Sequence, residues 1–117
     1  MIYYAKNRQG EVKKKLRGGE GEVLITPLEK EYLPAAAKMF AEITLEPGCS
    51  IGEHEHVGEA EMFYFVQGQG TVTDNGTPYE LGPGDGMTTP SGHRHSLKNT
   101  GSEVLKVVAA IIKDAVV

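Results

Sequence analysis

His54 and His56 stand two residues apart, Glu61 follows shortly after, and His95 arrives behind a Pro90-Ser91-Gly92 turn. Three imidazoles and one carboxylate make a mixed nitrogen and oxygen donor set. Such a set suits a divalent transition metal (Mn, Fe, Co, Ni, Zn or Cu) without choosing among them. Residues two apart on a strand point the same way, so His54 and His56 share a face while Glu53 and Glu55 turn to solvent. A turn at Val57-Gly58 folds the chain back and aims Glu61 into the same cavity from the next strand. The chain holds only 4 histidines, and three of them fill these positions. A metal site therefore accounts for them better than scattered surface imidazoles do.

Two further groups near this set are candidates for acid–base work. Glu59 shares the parity of Glu61 and would serve as a general base, although Gly58-Glu59-Ala60 also reads as an exposed turn with a solvated carboxylate. His93 lies two before His95 and reaches the rim as an acid or base if the strand includes it; otherwise it is a loop residue. Phe63 and Phe65 share the parity of Glu61 and form an apolar wall, as core or as ligand contact. Tyr64 faces the other way. Met39, Ile43 and Ile111 fill the interior, Asn99 pins backbone at a strand end, and Asp85 caps the turn at Gly84.

The elements that would hold these residues are short strands punctuated by turns. Candidates are Val23–Ile25, Met39–Glu46, Glu53–His56, Met62–Val66, His95–Asn99 and Val104–Ile112. Thr71 to Tyr79 reads as a hairpin, because Asn75-Gly76 supplies the positive-φ pair of a type I′ turn. Leu28 to Lys38 has room for a helical turn, which Pro34 keeps short. Many strands with Gly and Pro turns predict an all-β protein, a closed antiparallel barrel or sandwich. The closing strand is apolar on both faces, Leu105, Val107, Ala109 and Ile111 on one and Val108, Ala110 and Ile112 on the other. In so small a protein that predicts a second subunit over one face, a homodimer.

At 117 residues the chain suits one domain spanning 1–117. A net charge of −4 argues against nucleic acid or anionic membrane as partner. The basic run Lys13-Lys14-Lys15 with Arg17 is offset by Glu11, Glu20 and Glu22 and reads as a solvated loop or strand edge. Cys49 is alone, forms no intrachain disulfide, and reads as a small buried filler. No apolar signal segment opens the chain and no stretch is long enough to cross a bilayer, so a cytoplasmic location is the expectation.

The segments Pro47-Gly48…His54-Glu55-His56…Glu61…Gly68 and Pro83-Gly84-Asp85…Pro90-Ser91-Gly92…His95…Asn99 resemble the paired motifs of the cupins. The first motif spans 48–68 and the second 84–99, and every fixed position is filled. The resemblance implies a double-stranded β-helix, or jelly roll, with His54, His56, Glu61 and His95 as metal ligands. It is poor for reaction, since cupins include isomerases, lyases, dioxygenases and non-catalytic binding proteins. The expected function is a metal-dependent enzyme of isomerase or lyase type acting on a sugar, sugar acid or oxo-acid, through a Lewis-acidic ion. The alternatives are a metal-dependent dioxygenase, and a small-molecule binding or sensing module without chemistry.

Overall fold

Alternating apolar and polar residues, broken every few positions by glycine or proline, lay down ten strands in the computed structural model, which describes residues 1–114. These are β1 (Glu11–Lys14), β2 (Glu22–Pro27), β3 (Ala37–Leu45), β4 (Ser50–Glu55), β5 (Glu59–Gln67), β6 (Gly70–Asp74), β7 (Thr77–Leu81), β8 (Gly86–Thr89), β9 (Arg94–Lys98) and β10 (Leu105–Lys113). The order β1-β2-β3-β10-β5-β8 builds one sheet and β4-β9-β6-β7 the other, with every pairing antiparallel. Three short 3₁₀ turns are the only helical elements among the described residues, one of them at Lys30–Tyr32 within the segment expected to hold a turn. No helix among them is long and apolar enough to cross a membrane.

The inner faces of the two sheets make the core. Val23, Ile43, Leu45, Phe63, Phe65, Leu105, Val107 and Ala109 come from the larger sheet and meet Ile51, Val72 and Leu97 from the smaller. Glycine is demanded at the corner after β5: Gly68 has φ +81°, and a Cβ there would meet the Val104 carbonyl oxygen at 2.6 Å. Asn75 (φ 49°) and Gly76 (φ 86°) make the type I′ turn between β6 and β7.

Two irregularities matter for the site. Ile51 and His54 are three apart and would face opposite ways on a regular strand. The register of β4 against β9 slips between them, an extra residue that turns His54 inward alongside Ile51. On β3 the register against β10 slips where Ile111 pairs Met39 and Ile112 pairs Ala37, which leaves Lys38 unpaired in a bulge. The basic run falls partly on the edge strand β1, and β8 is a strand that the pattern of Gly86 to Thr89 did not announce.

Candidate metal centre

His54 on β4, Glu61 on β5 and His95 on β9 approach from three strands, with His56 in the turn just after β4. His54 pairs directly with His95 across β4 and β9. His56 is 5% exposed, Glu61 5% and His95 0%, so the cluster is closed to bulk water on most sides. His56 Nε2 lies 2.9 Å from Glu61 Oε1 and 3.0 Å from His95 Nε2. His95 Nε2 lies 3.0 Å from Glu61 Oε1 and 3.1 Å from His54 Nε2. The four residues form a cluster that could hold a metal ion.

The partners of the other ring nitrogens decide where the protons sit. His54 Nδ1 meets the Gly52 carbonyl oxygen at 2.8 Å, and His56 Nδ1 meets Glu59 Oε2 at 2.9 Å. Carbonyl and carboxylate oxygens only accept, so each Nδ1 carries a proton, which leaves Nε2 as the atom that can offer a lone pair to an ion. His95 Nδ1 faces the Thr89 hydroxyl at 2.7 Å and is fixed by it. His95 Nε2 thus meets two other imidazole nitrogens and a carboxylate oxygen at 3.0–3.1 Å, more close neighbours than one N–H can serve. Like lone pairs beside a carboxylate repel, and a cation is what relieves them. The residues present therefore fit a divalent ion.

Electrostatics agree. Burial holds the His54 imidazole below its ordinary pKa; the Gly52 hydrogen bond opposes this, and the neighbouring His95 and His56 rings reinforce it. The ring is neutral at neutral pH, as ligation requires. For Glu59, burial pushes the carboxyl up, but hydrogen bonds from Lys38 and His56 outweigh it and leave the group below the usual range.

Glu59 corrects the exposed-turn reading. It opens β5, its side chain is 13% exposed, and both carboxylate oxygens are engaged, Oε1 by Lys38 Nζ at 2.7 Å and Oε2 by His56. The bulge at Lys38 frees that amine to reach across. The carboxylate stands behind the His56 ring, on the side away from the other three donors. Replacing it, Glu59→Gln, is expected to weaken divalent-ion affinity about 10- to 100-fold, the usual cost of losing the partner that orients a ligating histidine. Competition against a chromophoric chelator reads this, and a change below twofold contradicts the role.

His93 precedes β9 and is a loop residue, exposed, with Nδ1 taking a hydrogen bond from the Asn75 amide at 2.8 Å. Phe63 lies flat on the His95 ring, centroids 4.9 Å apart at 14°, so it is both core and site wall. Asn99 does pin backbone, donating to the Leu45 and Glu103 carbonyls at 2.8 Å each. Asp85 Oδ2 accepts from the Gly82 amide at 2.8 Å. Cys49 is half-buried against the core and disulfide-free. Sequence reasoning missed Thr89, Lys38 and Asp74. The first two depend on register and a bulge, but the parity of Asp74 with Val72 in a recognised hairpin was available.

Comparison with known proteins places this architecture. The cupin domain model matches residues 41–111. The chain belongs to the cupin family. It is 43% identical over 98 residues to an oxalate-binding protein of Thermotoga maritima, covering 83% of this chain and 81% of that protein. A crystal structure from Thermotoga maritima, described as a predicted oxalate decarboxylase, superposes with a TM-score of 0.91 at 38% identity, over 97% of this chain and 99% of that one. Quercetin 2,3-dioxygenase of Bacillus subtilis is 31% identical over 103 residues; the match takes in 83% of this chain but only 30% of the dioxygenase.

Proposed function

We propose that the chain is a metal-dependent binding protein for small oxo-acids of the oxalate class, with His54, His56, Glu61 and His95 as the ligands of the ion. The spacing of the donors carries the reading. Two donors each about 2.1 Å from one ion lie about 3.0 Å apart at a right angle and about 3.4 Å apart at the tetrahedral angle. His56, Glu61 and His95 approach one another at 2.9–3.0 Å, which suits one triangular face of an octahedron. Once His54 takes a fourth corner beside His95, the two corners left over are adjacent. Adjacent corners accept a ligand with two neighbouring oxygens, and an octahedral preference favours Mn, Fe, Co or Ni over tetrahedral Zn.

When bound, the ion would supply a cationic anchor and Lewis acidity. The chain's own residues do the rest. Glu59, Thr89 and the Gly52 carbonyl hold the rings in one tautomer and orientation, and Phe63 shields His95 from water. The similarity to a protein named for oxalate binding supports the ligand class. Isothermal titration with oxalate is expected to give heat with the manganese- or cobalt-loaded protein and none after chelation. Equal binding without metal, or none with any metal, removes the proposal.

Turnover is the second reading, and the Lys38–Glu59–His56 chain favours it, because it puts an ionised carboxylate one imidazole away from the cluster. An isomerase or lyase would use Glu59 or His93 as acid or base on a sugar acid or oxo-acid. A dioxygenase would consume oxygen with Fe(II), so an anaerobic assay separates the two.

A homodimer is also proposed. On the outer face of the larger sheet, Phe40, Met62, Tyr64 and Val66 are 42–55% exposed, and they surround half-buried Val108, Ala110 and Ile112 of β10. A contiguous apolar face of this kind is what an isologous contact buries. Analytical ultracentrifugation is expected to give twice the chain mass, and Tyr64→Lys to weaken association at least about tenfold. A monomeric wild type rejects it.

A further inference from the structure

Among the described residues, Asp74 is the one half-buried carboxylate on the inner face, beyond the cluster and its Glu59 brace, that the site has not used. It ends β6, where Val72 and Leu97 are paired and both buried, whereas Thr73 bonds Ser96 at 2.6 Å on the opposite face. Parity with Val72 turns Asp74 inward. It pairs across the sheet with His95, which pairs in turn with His54, so the three side chains stand in one row on the inner face. Directly opposed side chains have Cβ atoms about 4.5–5.5 Å apart, which sets Asp74 one strand away from the cluster.

The carboxylate also lines a cavity of about 280 Å³ between β7 and β8, with Val72, Tyr79, Leu81, Met87 and Thr88. Met87 pairs with Phe63, the ring that covers His95, so the cavity shares a wall with the metal centre. Among the described residues Asp74 enters no ion pair. A half-buried carboxylate against Val72, Leu81 and Met87 accepts hydrogen bonds and donates none, and its walls offer it no cation.

We infer that Asp74 is the specificity-determining residue of the site and that it selects oxo-acids bearing a hydroxyl group. The inference rests on the metal-anchored reading above. Two oxygens of the ligand engage the ion, the carbon chain lies along Phe63 and Met87, and a terminal hydroxyl donates to Asp74. A ligand with a methyl group there leaves the carboxylate unpaired, and one that carries a further carboxylate at that end meets a like charge, whereas oxalate, with both carboxylates on the ion, is too short to reach Asp74. Sites built around a ligand hydroxyl reject the analogue that lacks it far more strongly than apolar pockets reject size.

Titration of the cobalt(II)-loaded full chain with 3-hydroxypyruvate and pyruvate tests this, because both share one chelating head. Wild type is expected to favour the hydroxylated acid about 10- to 100-fold, the range of a hydrogen bond to a charged group. Asp74→Ala is expected to bring the ratio to about one. Asp74→Asn, which keeps the shape, is read as well in case the alanine variant misfolds, and it should lose most of the preference. A wild-type ratio near one, or a preference that survives both substitutions, overturns the inference and leaves the metal-anchored reading standing. Failure of both acids to bind protein that holds cobalt overturns the inference, and oxalate titrated alongside decides the metal-anchored reading by itself.

Discussion

His95→Ala is expected to weaken divalent-ion binding by about 100- to 1000-fold. His95 Nε2 lies within 3.1 Å of all three other donors, and the residue is fully buried. A four-ligand site is worth about 10–16 kcal/mol, so an even share per ligand is about 2.5–4 kcal/mol. Its loss also removes the ring stacked on Phe63 and leaves the Thr89 hydroxyl without its partner. Circular dichroism of the variant separates a local loss from misfolding. Chelator competition gives the affinity, and a value within tenfold of wild type would show that His95 is no ligand.

The second large effect is on stability. Without a cation, the folded chain holds three imidazoles and a carboxylate with donor atoms 2.9–3.1 Å apart. Unfolding lets them separate. An ion that binds only the folded chain adds about 2.7 kcal/mol at a hundred times its Kd, which for a domain of this size raises Tm by about 10 °C. Calorimetry with and without Co(II) measures the rise. The increment should be nearly absent in His95→Ala. An unchanged wild-type Tm at saturating ion would mean that no site forms.

The four clustered residues were legible because a His-x-His pair keeps one face wherever its strand begins, and the short Val57-Gly58 turn returns Glu61 beside it. The alternation of Met62 to Val66 likewise gave the inner wall, and Asn75-Gly76 gave its hairpin. What the residues do not announce are the β-bulges in β3 and β4. An inserted residue shifts parity by one, and its position is settled by cross-strand pairing rather than by local preference. That is why Lys38 could not be linked to Glu59, and Glu59, next to Gly58 and with no visible partner, read as a solvated turn residue. β8 was hidden for a related reason, since Gly86 to Thr89 lacks the apolar content of a core strand and gains its order from pairing with β5.

Metal-edge X-ray absorption of the cobalt-loaded protein addresses the convergence of these side chains most directly. Three imidazole rings in the scattering shell, with the remaining donors oxygen and six-coordinate in total, is the result expected. A shell with one imidazole or none would contradict it.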